Sequence, residues 1–222
     1  MSASIAYTVI LDMDGTLLDL NFDDQVWNYA LPAALAARDG DSVEAARLRV
    51  AETLGSVRGT LPWYCHDHWE REFGISVHEL EIELAHFIDL RAGTLDFLKF
   101  TQANAYRTIL ATNAHPVSLE RKMVRTGLRH YFSAVISAHS LGAAKEDPLF
   151  WTQLVATERV DPGLAILVDD NPAVLATAHR FGVRHVFGVR TPSSTGLPKS
   201  FPEFASVESL AELIPWLSAG VN

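Results

Sequence analysis

The chain has 222 residues, 48% of them hydrophobic and 20% charged, which excludes a disordered protein and allows a sizeable core in one domain with an insertion, or in two unequal lobes. The formal net charge is -9, and Lys and Arg gather into no basic stripe, so general binding of nucleic acid or of an anionic membrane is not expected. An anionic small molecule is still compatible, provided positive charge is concentrated locally.

The opening "MSASIAYTVIL" has no basic n-region, and its apolar stretch is too short for a signal segment or a membrane span. A soluble, cytoplasmic protein is expected, and the single cysteine, Cys65, fits a reducing compartment. "YTVIL", Tyr7 to Leu11, reads as a buried strand that ends abruptly in Asp12 and Asp14, followed by Gly15 and Thr16. Two carboxylates one residue apart at the tip of a buried strand repel each other and lose hydration, so a cationic partner is required there.

From about Leu18 to Arg91 no convincing strand occurs. "VWNYALPAALAARDG", "SVEAARLRVAETLG" and "VHELEIELAHFIDL" all read as helices, which makes the interval a helical lobe inserted after the first strand. Within it, "LPWYCHDHWE", Leu61 to Glu70, crowds Cys65, His66 and His68 together. On a helix, residues at i and i+2 face different sides, and no second ligand cluster lies nearby in sequence, so zinc is not expected. Trp63 and Trp69 read as packing of the lobe; alternatively Trp63, Tyr64 or His66 form a stacking surface over a site below.

After Arg91 the β/α rhythm resumes. Strands are predicted at Arg107 to Thr112, Ser133 to Ala138, Leu164 to Asp169 and His185 to Val189, each mostly apolar on both faces as central parallel strands are. Helices are predicted between them in "VSLERKMVRTGL", "PLFWTQLVATERV" and "AVLATAHRFG". Thr191 to Phe204, rich in Pro, Ser and Gly, reads as a loop leading to a last helix, "VESLAELIPWL".

Ligands of open α/β sheets bind beyond the carboxyl ends of the strands. These strands deliver Asp12 and Asp14, then Thr112 and Asn113, then Asp169 and Asp170, with Lys145 after the third strand in "GAAKEDP". A hard divalent cation with oxygen ligands relieves such a cluster of acids, and Mg²⁺ suits few carboxylates plus waters and a substrate phosphate. His115, in "TNAHP", is expected to position the loop before Pro116, or alternatively to reach the substrate.

"DMDGT", "ATN", Lys145 and "VDDNP" resemble, in order and approximate spacing, the four motifs of the haloacid dehalogenase-like hydrolases, mostly Mg²⁺-dependent phosphatases. The resemblance implies an α/β fold with a Rossmann-like three-layer parallel-sheet core, residues 1–17 and 92–222, and an inserted all-helical cap, residues 18–91, that moves over the substrate about hinges near its two borders. It implies Asp12 as the nucleophile that becomes an aspartyl phosphate, and Asp14 as the acid that protonates the leaving alcohol and later the base. It gives Thr112 and Asn113 as neutral donors to the phosphoryl group and Lys145 as the charge that neutralises it and holds the nucleophile. Gly15 leaves room for an unusual turn and for backbone N–H groups to approach phosphate. The metal set that the resemblance implies is Asp12, Asp14 through its carbonyl, and Asp170, with Asp169 in or beside the shell.

Longer strings, "LLDLNFDD", "LPWYCHDHWEREFGI", "LATNAHPVSLERKMVRTGL" and "KEDPLFW", resemble the bacterial GMP/IMP nucleotidase branch of that family. Its substrate would be a small phosphomonoester, a purine mononucleotide, with Arg58, Trp63, Tyr64 and His66 as candidate readers of the base. Against the rivals, a dehalogenase has no use for Asp14, since no leaving alcohol needs a proton. A phosphonate hydrolase needs a Schiff-base lysine from the cap, which has none; Lys99 and Lys122 lie outside it. A sugar-phosphate phosphatase or phosphomutase shares the core, and a non-catalytic binding protein would have lost the nucleophile or Lys145, both of which are present.

Overall fold

The computed structural model describes residues 7–220, so the first six residues of the expected core segment lie outside it. Six strands, β1 (Thr8–Leu11), β2 (Arg107–Thr112), β3 (Ala134–Ser137), β4 (Ala165–Asp169), β5 (His185–Val189) and β6 (Ala205–Val207), form one parallel sheet in the order β3-β2-β1-β4-β5-β6. The chain builds outward from β1 to β2 and β3, then crosses to β4 on the other side. The crevice created where the order reverses lies at the carboxyl ends of β1 and β4.

The strands are apolar on both faces because both faces are covered. Val9, Leu11, Leu110, Ile166 and Val168 point into one core; Ile10, Ile109, Ala111, Ala165 and Leu167 point into the other. The first core is closed by helices α6 (Thr94–Ala103), α7 (Pro116–Thr126) and α11 (Leu213–Ser218), and the second by the short α8 (Ala138–Leu141), α9 (Pro148–Glu158) and α10 (Pro172–Phe181). This is a three-layer α/β architecture. Helix starts follow local chemistry: Asp147 and Asn171 cap α9 and α10 with side-chain acceptors, each ahead of a proline that lacks the N–H a first turn would leave unsatisfied.

Between β1 and α6 the described chain is helical, with only isolated bridges of β character. Helix α1 (Asn21–Asp24) runs through a π-helical stretch, Gln25–Ala30, into α2 (Leu31–Asp39). The wider turns precede Pro32, which has no N–H to give and whose ring would crowd a regular turn. Helices α3 (Val43–Gly55), α4 (His66–Phe73) and α5 (Val77–Glu83) follow. The two chain crossings lie side by side: Leu18 bridges Leu90, and Arg91 N donates to Leu17 O at 2.9 Å. The Arg91 guanidinium laces this neck to the carbonyls of Thr16, Thr191 and Glu208.

The C-terminal expectation is corrected in two places. Ala205–Val207 is an edge strand, and the expected single helix is a 3₁₀ turn, Leu210–Glu212, started by a Ser209 capping box, followed by the short α11. Three residues with two small side chains carry no alternation to reveal the strand; pairing with β5 creates it.

Candidate active site

Asp12, Lys145, Asp169 and Asp170 meet beyond the carboxyl edge of β1 and β4, and Asp14 lines the same cleft to one side of them. Asp12 N continues the ladder to Val168 O at 3.0 Å, which sets the Asp12 carboxylate beside Asp169. Lys145, 1% exposed, donates to Asp12 Oδ1 at 2.5 Å, Asp169 Oδ2 at 2.7 Å and the Ala111 carbonyl at 3.1 Å. Those three bonds engage all its hydrogens, so its action on an incoming anion is that of a point charge. Burial alone would drop the lysine's pKa, but Asp12 and Asp169 outweigh it and hold the ammonium charged.

One lysine does not neutralise the acids. Burial, with Asp169 and Asp14 adding to it, pushes Asp12 up to about 7 against the pull of Lys145, and Asp169 is likewise raised to about 6 by burial and Asp170. Asp12 Oδ2 is buried without a hydrogen-bond partner. Asp12, Asp169 and Asp170 each offer a carboxylate oxygen, and the three oxygens lie within 4.8 Å of one another. Such an arrangement fits a hard dication, whose charge removes the penalty of ionising all three. Both carboxylate oxygens of Asp169 are engaged, by Lys145 and by Asn171 N at 2.9 Å, whereas the Asp170 carboxylate accepts only through Oδ2, from Lys199 Nζ at 2.6 Å, which also reaches the Asp170 carbonyl. Asp170 therefore has the freer oxygen of the pair.

Gly15 has φ +85°, and a Cβ there would stand 2.7 Å from Asp170 Cγ, so a bare backbone is what admits Asp170 to the cluster. Its own N–H does not face the cleft, because it donates to Leu18 O at 2.8 Å. Thr112 is buried, and its Oγ1 accepts from Ala114 N at 3.0 Å while its hydroxyl hydrogen stays available. Asn113 accepts from Lys145 N at 2.8 Å and donates to Glu146 Oε2 at 2.9 Å; its side chain thus locks the Lys145 loop.

Asp14 stands apart from the trio of acids. Its Oδ1 accepts from Lys122 Nζ at 2.7 Å, and the same ammonium reaches Asp23 Oδ1 at 2.9 Å beneath the Phe22 ring. Lys122, 1% exposed, was not among the expected site residues. The available signal was its register: it falls on the buried stripe of α7 with Ser118, Leu119 and Met123, an odd place for an unpaired charge. Burial pulls its pKa down, yet Asp14, Asp23 and Glu81 hold it above the ordinary value, so it is an ammonium and no Schiff-base nucleophile.

Above the acids opens a cleft of about 1080 Å³. Arg58, Trp63, Tyr64 and His66 all line it, as do Trp27, His115 and Glu146. Arg58 lies over the Trp63 ring at 5.9 Å. Tyr64 Oη donates to Glu146 Oε1 at 2.6 Å, and Asn171 Nδ2 donates to the same oxygen at 2.9 Å, so the residue after Lys145 ties the helical segment to the sheet. His66 is buried, with Nε2 3.4 Å from Glu81 Oε1. Trp69 is no part of the wall: it is fully buried against Trp27 and Phe73, and its indole N–H donates to the Trp63 carbonyl at 2.8 Å. His115 caps α7, Nδ1 accepting from Val117 N at 3.4 Å.

Residues 7–182 match the sequence model of the haloacid dehalogenase-like hydrolases. The chain belongs to that family. The hydrolase is 34% identical over 210 residues to the GMP/IMP nucleotidase YrfG of Escherichia coli (strain K12), an alignment that covers 95% of each chain. Among solved structures it is similar to an HAD phosphatase from Thermococcus onnurineus, with TM-score 0.82 and 21% identity over 96% of this chain and 99% of that one. It is also similar to CbbY from Rhodobacter sphaeroides, solved in complex with phosphate, with TM-score 0.67 and 18% identity over 94% of this chain and 96% of that one. At those identities the structural likenesses speak for the fold. Among the described residues no helix of this hydrolase is long and apolar enough to cross a membrane.

Proposed function

We propose that this hydrolase is a Mg²⁺-dependent phosphatase that works through an aspartyl phosphate on Asp12 and acts on purine 5′-mononucleotides, GMP and IMP ahead of AMP. The observation that carries the chemistry is the pairing of Asp12 with Lys145 at 2.5 Å while Asp12 Oδ2 is left buried and unpartnered beside Asp169 and Asp170. The 34% identity to a GMP/IMP nucleotidase across 95% of both chains supports the substrate.

Mg²⁺, held by Asp12, Asp170 and the Asp14 carbonyl with Asp169 beside it, would offset the charge of the carboxylates and of the phosphoryl oxygens. The chain's own residues do the rest. An oxygen of Asp12 attacks phosphorus as the ester P–O bond breaks, and Asp14 gives the departing alcohol its proton. Lys122 holds Asp14 by Oδ1 and leaves Oδ2 for that transfer. Asp14 then takes a proton from the water that attacks the acyl phosphate, which frees inorganic phosphate and restores Asp12. The Thr112 hydroxyl and Asn113 donate to the phosphoryl oxygens, and Lys145 keeps the nucleophile aimed.

Residues 18–91 form the cap in this reading, and residues 1–17 and 92–222 the core, with hinges at the paired crossings by Leu18 and Leu90. The cap must open to admit substrate and close to keep bulk water from the acyl phosphate. Trp63 and Tyr64 offer π-faces to the base, and Arg58 and His66 offer donors to the O6 that GMP and IMP share and AMP lacks.

The deciding measurement is kcat/KM for GMP, IMP, AMP, UMP and a sugar phosphate, with and without Mg²⁺. GMP and IMP should lead, with no phosphate release in EDTA. If a sugar phosphate leads, or AMP equals GMP, the nucleotidase reading fails while the phosphatase stands. Turnover of β-glucose 1-phosphate that needs a bisphosphate primer would mark a mutase instead.

A further inference from the structure

A second group of ligand-bearing side chains gathers around His115, on the lining of the cleft. The pairing of Thr112 with Ser137 in neighbouring strands brings the loops after β2 and β3 together, and the Ser137 hydroxyl fastens them by donating to the Ala114 carbonyl at 2.7 Å. His115 and His139 follow immediately, their rings 5.1 Å apart at 79°. From the helical segment, the 3₁₀ turn Leu61–Tyr64 delivers Cys65 to the same place at the start of α4. One donor atom from each of Cys65, His115 and His139 lies within 4.8 Å of the others, and His139 Nε2 is buried with no hydrogen-bond partner.

We propose that Cys65, His115 and His139 form a binding site for a borderline transition-metal ion of the Zn²⁺ class, independent of the carboxylate site and of the phosphatase reading. One thiolate and two imidazoles are the ligand set such ions prefer over Mg²⁺ or Ca²⁺, and three protein ligands leave a fourth position for water. Bonds of about 2.0–2.3 Å in a tetrahedron keep ligand atoms about 3.3–3.8 Å apart, so small side-chain rotations close the present arrangement. Binding costs His115 at most its long cap bond to Val117 N at 3.4 Å. His66, stacked on His115 at 4.6 Å and 20°, forms the wall of the site and is not itself a ligand.

Cys65 comes from the segment read as the cap and both histidines from the sheet-bearing part, so a bound ion would staple the two. The crowding of Cys65, His66 and His68 in sequence pointed at the wrong partners; His68 packs edge-on against Trp69.

Titration of the EDTA-treated protein with Co²⁺ tests the site, because a thiolate-to-cobalt charge-transfer band arises only when Cys65 is a ligand, and oxygen ligation at the carboxylates does not produce it. The band should saturate at one equivalent, persist in Asp170→Asn, vanish in Cys65→Ser and be displaced by Zn²⁺ but not by Mg²⁺. His139→Gln, and separately His115→Gln, should weaken binding at least as much as the roughly 10–100-fold that losing an outer-shell partner costs. Absence of the band in the wild-type protein overturns the site. So does a band whose affinity is unchanged in both histidine variants, since that would be a thiol binding cobalt alone.

Discussion

Lys122 Nζ stands 2.7 Å from Asp14 Oδ1 and 2.9 Å from Asp23 Oδ1, one ammonium joining a motif aspartate at the end of β1 to an aspartate of α1. The lysine is buried, while both acids keep part of their water. Breaking a fully buried pair costs about 3–5 kcal/mol, and the exposed acid ends here bring the expected loss below that range. Lys122→Met should therefore lower the urea midpoint and also lower kcat more than it raises KM, since Asp14 loses its orientation. Adding Asp23→Asn should recover part of the stability by removing one uncompensated carboxylate. If the double variant is no more stable than the single one, the two acids do not share this lysine.

Asp12→Asn and Asp14→Asn separate the two proposed carboxylate roles. The first should abolish turnover with the circular dichroism spectrum unchanged, because an amide keeps the shape and loses the attacking oxygen. The second should reduce kcat by roughly a hundred- to ten-thousand-fold, the range for a removed acid–base group, with substrate still bound. Rapid quench with labelled substrate adds a direct readout: phosphoprotein should form in the wild type and be absent from Asp12→Asn. Turnover of Asp12→Asn at the wild-type rate would remove the covalent mechanism.

Gly15→Ala tests the geometry of the acid trio without touching a carboxylate. The new methyl group would need φ +85° and would sit 2.7 Å from Asp170 Cγ. A left-handed non-glycine residue costs roughly 1 kcal/mol or more by itself, and Asp170 must also move aside. The variant should melt lower and should require more Mg²⁺ for half-maximal activity. An unaltered Mg²⁺ requirement would mean that Asp170 is not where the metal binds.

Tyr64→Phe removes one hydrogen bond to a carboxylate, worth about 1.5–3 kcal/mol where the acceptor is charged, and with it a tie between the proposed cap and core at Glu146. Proteolysis of the helical segment should quicken and KM should rise, with global stability little changed because the sheet core is untouched. Loss of global stability equal to the loss of protection would show that the segment does not open by itself.

Much of this protein is written locally. The strand runs around β1, β2, β4 and β5 are short and apolar on both faces, so their place in a parallel sheet follows from composition, and whatever sits just past each run must emerge at one sheet edge. That is why Asp12, Asp14, Thr112, Asp169 and Asp170 can be placed at that edge from the sequence, whereas Lys145, which follows β3 only after the helical turn Ala138–Leu141, is reached through the motif resemblance. Helix caps such as Asp147 and Asn171 are equally local. What only the tertiary structure decided are pairings between distant segments, whose energy depends on burial and distance and leaves no periodic trace. Lys122 with Asp14 and Asp23, Glu146 with Tyr64, Lys199 with Asp170, and Cys65 with His115 and His139 are all of this kind. Strand β6 belongs with them, because three residues of little intrinsic preference become a strand only when an exposed edge is there to pair with.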